Sequence, residues 1–434
     1  MRTAFFTQNI KQGGLDTFVL NLLSSWPGAE EIVLFCNRSH PGFDTLHQQL
    51  AGKATVVPYD FFIAQDISLR LARAPSLLRL GFRAAFWLFG FPYLVFKTAQ
   101  LFKQFDPDRL LVINGGYPGG DACLAATVAW GWQYRGRKQR AWHNFHNLVL
   151  PYSRQPLRRF KEQLIDRLVA RTAAGFVTVS QACMATLDSR APLATAQRSF
   201  IYNGIAPLAA KTEAKAETAL LSELSLPADT RLILMLAVYE PRKGHAFIIH
   251  AMDELVRLCP TAALLICGDG NAAEVAAVQR LRDASAVAQR IVLQGHRQDI
   301  AHLLAQAKVL VLPSQEQESF GYTAAEAMSC GCPVVVTEVG GLPEVVDDGG
   351  SGYVVPRADA SALVARIAAL LQDETLRQRM GDAGKARYHA LFRAACMSAQ
   401  YFRLLETSDQ TNDAAARQAQ ASPPNQSAQP TRAE

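Results

Sequence analysis

The sequence predicts an α/β protein with two domains, each built around a parallel β-sheet. The chain has 434 residues, too many for one hydrophobic core. Short continuous apolar runs alternate with segments of helical periodicity along almost its whole length. Such alternation is typical of parallel strands that helices cover on both faces.

The apolar runs predict where the strands lie. In the first half of the chain they fall at 3–7, 31–35, 54–57, 109–113, 140–142, 175–179 and 199–202. In the second half they fall at 231–237, 262–267, 290–294, 308–313, 333–337 and 353–355. Most of them precede a helical segment, as expected for successive βα units.

A loss of periodicity near the middle of the chain predicts the domain boundary. We expect an N-terminal Rossmann-like domain at 1–205, a polar linker at 206–228 and a C-terminal Rossmann-like domain at 229–385. A last helix at 386–405 is placed so that it can return to the N-terminal domain. The tail at 408–434, rich in Gln, Ala, Ser, Pro and Asn, is expected to be disordered.

Composition excludes some classes of protein. The net charge of +6 is mild for this length and gives no indication of nucleic-acid binding. The eight cysteines form no Cys-x-x-Cys pair, which favours reduced thiols in a cytoplasmic protein. The first residues run directly into a strand pattern and lack the apolar core of a signal peptide.

The segment 61–105, rich in Phe, Leu and Arg, has three interpretations. It forms helices packed on the N-terminal sheet, it lies in a membrane interface, or it spans a membrane. Arg83 and Pro92 interrupt the apolar run, which makes the spanning helix the weakest of the three. An interfacial helix would place these basic residues near lipid phosphates: Arg70, Arg73, Arg79, Arg83, Lys97 and Lys103.

The most informative motif follows the predicted strand at 308–313. Glu318 precedes a helix that starts near Gly321, and Glu326 lies about two turns inside it. The free N–H groups at a helix start bind anions or hydroxyls. A carboxylate accepts paired hydrogen bonds from vicinal hydroxyls, so Glu326 suits a ribose and Glu318 suits a sugar. Either glutamate alone is more simply a solvated or capping residue.

Three further clusters follow predicted strands. Lys243 and Gly244 come after the first strand of the second domain, where an ammonium group can meet a phosphate. Gly13 and Gly14 come after the first strand of the chain, where a simple turn is the alternative to a phosphate-binding loop. The third cluster, His143-x-x-His146, has the spacing of a metal pair but no further ligand nearby in sequence, which also fits hydrogen-bonded loop histidines.

Two motifs are misleading. Asp106-Pro107-Asp108 matches the Asp-x-Asp of metal-dependent transferases, but it precedes a strand, so we interpret it as a turn. Gly268-Asp269-Gly270 begins like a dinucleotide fingerprint, but Ala273 occupies the position of the third glycine, which argues against NAD.

Together these motifs resemble glycosyltransferase family 4, whose members are retaining enzymes of the GT-B fold. Glu318 and Glu326 match its E-x7-E motif. The resemblance covers about 1–405 and is strongest over 230–372. Flanking motifs support it: Gly268-Asp269-Gly270, Gly331-Cys332-Pro333, Gly340-Gly341-Leu342-Pro343-Glu344 and Asp348-Gly349-Gly350-Ser351-Gly352. It implies two facing Rossmann-like domains with an interdomain cleft.

The resemblance also implies roles for individual residues of the C-terminal domain. Glu326 is expected to bind the nucleotide ribose, and Glu318 the donor sugar. The backbone near Ser319, Phe320 and Gly321 is expected to cradle the sugar or the phosphate.

Other implied contacts concern the diphosphate and the acceptor side. Lys243 is expected to meet the donor diphosphate. The family usually has an arginine where this chain has Val238, and Arg242 is the adjacent substitute. Gly13 and Gly14 match the N-terminal glycine loop that reaches across the cleft, and His146 is preferred over His143 as the residue near the donor sugar.

The function implied is metal-independent, cofactor-free transfer of a sugar, with retention, from a nucleoside diphosphate sugar to a glycan or lipid-linked acceptor. The hypothesis places the enzyme in cell-surface polysaccharide or lipopolysaccharide synthesis, in the cytoplasm or at the inner face of the cell membrane. The alternatives are a nucleotide-sugar epimerase, a phosphorylase, or a non-catalytic nucleotide-sugar-binding protein on the same scaffold.

Overall fold

A computed structural model describes residues 1–63, 74–208 and 217–421. The N-terminal domain contains a seven-stranded sheet in the order β3-β2-β1-β4-β5-β6-β7, and its paired strands are parallel. Its strands are β1 (Arg2–Gln8), β2 (Glu31–Asn37), β3 (Thr55–Tyr59), β4 (Arg109–Asn114), β5 (Trp142–Phe145), β6 (Gly175–Thr178) and β7 (Arg198–Phe200).

The C-terminal domain contains a six-stranded parallel sheet in the order β10-β9-β8-β11-β12-β13. Its strands are β8 (Arg231–Leu236), β9 (Ala262–Cys267), β10 (Ile291–Gln294), β11 (Val309–Leu312), β12 (Val334–Thr337) and β13 (Gly352–Val355). Every predicted apolar run therefore overlaps a strand, and the predicted α/β architecture with two parallel sheets is confirmed.

Helices connect the strands and cover both sheets. Those of the N-terminal half are α1 (Gly14–Ser24), α2 (Phe43–Gln49), α3 (Ser76–Phe105), α4 (Asp121–Gln133), α5 (Pro156–Thr172), α6 (Gln181–Thr186) and α7 (Ala191–Ala194). Those of the C-terminal half are α8 (Glu217–Glu223), α9 (His245–Leu258), α10 (Ala272–Asp283), α11 (Ile300–Gln306), α12 (Tyr322–Cys330), α13 (Leu342–Val345), α14 (Ala360–Gln372), α15 (Glu374–Leu391) and α16 (Ala394–Ala421).

The strand order determines where each domain can bind a ligand. In both sheets the order reverses once, between β1 and β4 in one domain and between β8 and β11 in the other. Open α/β sheets bind ligands beside such a reversal, at the carboxyl ends of the strands. The central strands are buried on both faces, as β9 and β12 show, so only the loops that follow them are available for chemistry.

The boundary between the domains differs from the predicted one. Helix α8 lies inside the predicted linker 206–228, and its Leu220 and Leu221 are buried in the core of the C-terminal domain together with Leu224. Because burial of these leucines fixes the segment to that core, the domain begins by 217 rather than at 229. Residues 209–216 of the predicted linker lie outside the described residues.

The C-terminal helix is also corrected. The predicted helix at 386–405 consists of the end of α15 and the start of α16, which are separated beside Ile205. There Ile205 N–H donates to Phe392 O over 2.9 Å, and Ile205 O accepts from Ala394 N–H over 3.0 Å. Helix α16 then packs on the N-terminal domain, where Ser398 Oγ donates to Leu22 O over 2.9 Å.

Helix α16 continues past Ser408, where the sequence predicts that disorder begins, and ends at Ala421. Its Ala, Gln and Arg residues favour a helix, which explains the difference. Residues 422–434 of the predicted tail lie outside the described residues.

The segment 61–105 contains one long helix, α3. Its C-terminal part packs on the N-terminal core through Leu94, Thr98 and Phe102, which recur every fourth residue and are fully buried. Residues 64–73, including Arg70 and Arg73, lie outside the described residues. Within the described parts of the chain, no helix has the length and apolarity needed to cross a bilayer.

Candidate active site

Lys243 and Glu318 form an ion pair at the carboxyl ends of β8 and β11, the strands at which the C-terminal sheet reverses its order. Lys243 ends a short 3-10 turn after β8, and its Nζ donates to Glu318 Oε2. The two side chains are only 14% and 12% exposed, and Ser314 Oγ donates to the same carboxylate over 3.2 Å. The pair therefore places a cation and an acceptor group together in a partly desolvated cleft.

Two glycines hold the loop that carries Glu318. Gly340 has φ 56°, and a Cβ at this position would lie 1.8 Å from Glu318 O. Gly341 N–H donates to the same carbonyl oxygen over 2.9 Å. The Gly-Gly pair after β12 therefore lets the Glu318 loop pack directly on the neighbouring backbone.

Helix α12 starts just behind this loop. Its N-cap Gly321 has φ 98°, and a Cβ there would lie 2.5 Å from Leu342 Cδ2, so a side chain would clash. Phe320 is 2% exposed and belongs to the hydrophobic core. Only the backbone of Phe320 can therefore contribute to binding, next to the N–H groups of Tyr322 and Thr323, which precede the first hydrogen bond of α12.

Glu326 lies inside α12 and is half-buried. Burial raises the pKa of its carboxyl group to about 7. Among the described residues, no side-chain hydrogen bond or ion pair compensates this carboxylate. A half-buried acceptor without a protein donor is suited to hydroxyl groups of a ligand.

On the N-terminal side, the strand β5 extends further than the run at 140–142 predicts and includes His143. This histidine is fully buried, with Nδ1 2.7 Å from Thr127 Oγ1 and Nε2 3.4 Å from Asn114 Nδ2. It is thus part of the sheet interior, and the sequence prediction that both histidines follow the strand is wrong. The apolar pattern missed this because His143 and Asn144 are polar residues inside a buried strand.

His146 follows β5 and lies at the cleft. Its ring centroid is 4.6 Å from that of Phe18 and 6.2 Å from that of Tyr322, which belongs to α12 of the other domain. His146 Nδ1 and Tyr322 OH are both buried, and neither has a hydrogen-bond partner among the residues that the structure describes. Burial lowers the pKa of His146 to about 3, so the imidazole is neutral near pH 7.

The glycine loop after β1 also reaches the other domain. A Cβ at Gly14 would lie 3.5 Å from Tyr322 Cε2, and Gly13 faces open space. Asp16 fixes the loop, because its carboxylate accepts from Gly13 N–H over 3.0 Å and contacts His40 Nε2 over 2.8 Å. The loop therefore presents backbone rather than side chains to the cleft.

Direct hydrogen bonds join the two domains beside the ion pair. Ser319 Oγ donates to Asn147 Oδ1 over 2.5 Å, and Ser180 Oγ donates to Ser319 O over 2.8 Å. Glu344 accepts from the N–H groups of Gln181 and Ala182, each over 2.7 Å. Sequence reasoning named Ser319 and Glu344 but did not predict these contacts, because the partners are distant in the chain.

Arg242 and Val238 show how this loop departs from the family pattern. Arg242 Nε lies 2.5 Å from Glu240 Oε2, and its Nη1 donates to Gln317 O over 2.8 Å. Val238 is 43% exposed. The guanidinium group thus holds the Glu318 loop, and a role in donor binding stays a prediction.

The Asp-x-Asp motif is remote from this site. Asp106 pairs with Lys138 over 2.5 Å, and Asp108 accepts from Arg2 N–H over 2.7 Å, beside the amino end of β4. This position before β4 agrees with the interpretation of Asp106-Pro107-Asp108 as a turn. The described parts of the chain contain no group of three or more His, Cys, Asp or Glu residues arranged to hold a metal ion.

A cavity of about 550 Å³ adjoins the site on the N-terminal side. The loops after β1, β4 and β5 form most of it, and Gln317 contributes from the other domain. Its lining combines glycines with polar and apolar side chains, including Asn9, Ile10, Lys11, Asn114, Gly115, Gly116, Tyr117, Asp121, Asn147 and Leu150. A second molecule could thus bind beside the ion pair.

Comparisons with known proteins agree with this geometry. Residues 217–387 match the family model described as glycosyl transferases group 1. These residues form a group 1 glycosyltransferase domain. They include Lys243, Glu318 and Glu326, so all three lie inside the matched region.

Relatives of the group 1 glycosyltransferase domain match a similar part of the chain. The N-acetyl-alpha-D-glucosaminyl L-malate synthase of Bacillus anthracis is 30% identical over 184 residues, 42% of this chain and 47% of that protein. The phosphatidyl-myo-inositol mannosyltransferase of Mycolicibacterium smegmatis is 32% identical over 184 residues, again 42% of this chain and 46% of that protein. The alignment thus spans about half the length of these relatives.

The fold is similar over nearly the whole chain. The structure of Anabaena HepE in complex with UDP superposes with a TM-score of 0.72 at 20% identity, covering 94% of this chain and 100% of that chain. With the two parallel sheets, this likeness shows the GT-B fold, in which the group 1 glycosyltransferase domain faces a second Rossmann-like domain.

Proposed function

We propose that the protein is a retaining glycosyltransferase that moves a sugar from a nucleoside diphosphate sugar to a glycan or lipid-linked acceptor. The observation that supports this best is the ion pair of Lys243 with Glu318 just before the helix that carries Glu326. Within the described parts of the chain, no side-chain hydrogen bond or ion pair compensates the Glu326 carboxylate. The cation suits a diphosphate, and the two carboxylates suit the hydroxyls of a sugar and a ribose.

The geometry supports a division of roles within the donor site. Lys243 is already oriented by Glu318, so little side-chain ordering remains when a diphosphate binds. The backbone of Ser319, Phe320 and Gly321 precedes the positive end of α12, which favours an anion. Across the cleft, the backbone of Gly13 and Gly14 supplies the opposite wall.

In the proposed reaction, the bond between the anomeric carbon and the diphosphate oxygen breaks as the acceptor oxygen attacks from the same face. The acceptor proton passes to the leaving diphosphate oxygen. Lys243 and the start of α12 balance the charge that develops there, and the proposal needs neither a metal ion nor a cofactor. Neutral His146 lies on the acceptor side, where its Nδ1 can bond a hydroxyl group of the sugar.

Two known proteins guide the choice of substrates to test. HepE binds UDP in its structure, which supports a uridine donor first, with GDP and ADP donors beside it. The name of the mannosyltransferase indicates a phospholipid acceptor, which supports a lipid-linked acceptor here. We therefore propose a role in cell-surface polysaccharide or lipopolysaccharide synthesis at the inner face of the cell membrane, with membrane contact through 61–105.

The test is release of nucleoside diphosphate from a panel of UDP-, GDP- and ADP-sugars, in EDTA, with and without lipid acceptors. The proposal expects one donor to react, EDTA to have no effect, and acceptor to raise the rate. Nuclear magnetic resonance of the product should show a retained anomeric configuration. Conversion of the donor sugar without diphosphate release would indicate an epimerase, and donor binding without turnover would indicate a binding protein.

A further inference from the structure

The two halves of helix α3 have different surroundings. Its C-terminal half is packed on the core, whereas its N-terminal half exposes large apolar side chains. Leu80 is 65% exposed, Phe89 is 68% exposed and Phe96, farther along, is 60% exposed. The other exposed members are Leu78, Phe82, Trp87, Leu88 and Tyr93. These side chains together form a large exposed hydrophobic surface, and such surfaces usually mark a binding site.

Helix α5 adds a second apolar stripe that the sequence prediction did not include. Leu157, Phe160 and Leu164 are 74%, 65% and 47% exposed, and their spacing places them on one helical face. Lys161, between them, donates to Trp87 O and lies 5.1 Å from the centroid of the Trp87 ring. The two stripes therefore adjoin, and we name these exposed side chains of α3 and α5 the α3–α5 face.

The exposed charges on α3 and α5 themselves are basic. Helix α3 contains no Asp or Glu. In α5, Glu162 is 11% exposed and paired with Arg158 and Arg190, and Asp166 is fully buried. Basic side chains lie along these helices and just before α5: Arg79, Arg83, Lys97, Arg154, Arg158, Arg159 and Arg167. Apolar side chains flanked by cations, on two helices whose described parts expose no carboxylate, complement the acyl chains and phosphates of an anionic bilayer.

The cavity beside the ion pair lies near the α3–α5 face. Leu150, which is 43% exposed, and Asp121 both line that cavity. The Asp121 carboxylate acts electrostatically on Lys161, the residue that contacts Trp87. A bilayer against the face would therefore lie near the cavity.

We propose that the α3–α5 face binds an anionic phospholipid bilayer, so that an amphiphilic, lipid-linked acceptor reaches the 550 Å³ cavity directly from the membrane. This extends the contact at 61–105 to α5 and names the class of acceptor; it rests on the proposed transferase function. A protein partner would be the competing occupant, but the basic side chains and the lack of exposed carboxylates along the described parts of α3 and α5 match phosphates better.

The experiment is flotation of the full chain with vesicles of phosphatidylglycerol and phosphatidylcholine, compared with phosphatidylcholine alone. We expect binding to the anionic vesicles that weakens as salt is raised. The double variant Leu157→Ser/Phe160→Ser should bind the vesicles with an affinity at least about tenfold lower, since two large apolar side chains no longer enter the lipid. The matched control Leu258→Ser, at an apolar residue 50% exposed on α9, should bind like the wild type.

Thermal unfolding shows whether the double variant remains folded, which is expected because both residues are exposed. Absence of wild-type binding to anionic vesicles, or equal loss in the double variant and in Leu258→Ser, overturns the proposal. Calorimetric titration of UDP or GDP into the wild type, without vesicles, tests the transferase function separately. Nucleotide binding without vesicle binding would reject only the membrane-binding role of the α3–α5 face. Vesicle binding without nucleotide binding would reject the donor site.

Discussion

The two domains have the same strand order around their reversal points but present different chemistry to the cleft. The C-terminal domain contributes ionisable groups, Lys243 and Glu318 from its loops and Glu326 from α12. The N-terminal loops contribute backbone at Gly14 and the neutral imidazole of His146. One topology thus supports an anion site on one side of the cleft and a neutral wall on the other.

This difference predicts a ranking of effects. Removing a charge from the C-terminal side should cost more activity than removing a neutral group from the N-terminal side, because charged groups stabilise the developing charge of a transition state most strongly. Substitutions that remove hydrogen bonds between the domains should lower the activity least, since they change the closure of the cleft rather than the chemical step.

The largest effect is expected for Glu318→Ala. The variant leaves Lys243 without its ion-pair partner and the donor sugar without its acceptor group, so kcat should fall by about 100-fold to 1,000-fold. Steady-state release of nucleoside diphosphate measures it. Glu316→Ala removes an exposed glutamate of the same loop and should retain the wild-type rate. Equal rates for the two variants would contradict the role of Glu318.

Glu326→Ala should affect donor affinity more than turnover. Loss of hydrogen bonds from hydroxyls to a charged carboxylate should raise the dissociation constant of the donor by about tenfold to 100-fold. Calorimetry with the nucleoside diphosphate alone measures this without catalysis. An unchanged dissociation constant would remove Glu326 from the ribose site.

The same residue predicts a pH dependence. The pKa of Glu326 is raised from 4.5 to about 7 by burial, so the carboxyl group is mostly protonated at pH 6 and mostly ionised at pH 8. Because the ionised form accepts hydroxyl hydrogen bonds better, nucleotide affinity should increase as pH rises through about 7. Glu326→Gln should remove this increase; its persistence in that variant would assign the titration to another group.

On the N-terminal side, His146→Ala should lower kcat by about tenfold, the order expected for a hydrogen bond to the reacting sugar. Because burial lowers the pKa of His146 to about 3, the wild-type rate should show no titration of this imidazole between about pH 5 and 8. A drop in rate near pH 6.5 that disappears in His146→Ala would contradict a neutral role.

The smallest effect is expected between the domains. Glu344→Gln weakens the acceptor for the two N–H groups at the start of α6 and should lower kcat by about threefold. Glu338→Gln, an exposed glutamate of the same domain, is the control. A change in nucleotide affinity larger than the change in kcat would show that Glu344 acts on the donor rather than on closure.

The same contrast explains what could be predicted from sequence. The strands of both sheets were predictable because continuous apolar runs report burial directly. The positions of Glu318 and Glu326 were predictable because strand, loop and helix follow each other along the chain. By contrast, Leu220 and Leu221 of α8 lie in a segment that composition marks as a linker, and their burial depends on a core formed by distant strands.

Other features depend on tertiary contacts that sequence spacing does not encode. The hydrogen bond between Ser319 and Asn147 joins residues far apart in the chain. The packing of α5 beside α3 through Lys161 and Trp87 likewise required the structure. His143 was ambiguous because a buried polar residue in a strand resembles a loop residue in sequence.

The measurement that tests the account most directly is the structure of the protein with a bound nucleoside diphosphate. The account predicts that the ribose hydroxyls meet the Glu326 carboxylate and that the diphosphate meets Lys243 Nζ, at the start of α12. A nucleotide bound elsewhere, with Glu326 and Lys243 free of it, would contradict the assignment of the donor site to the C-terminal domain.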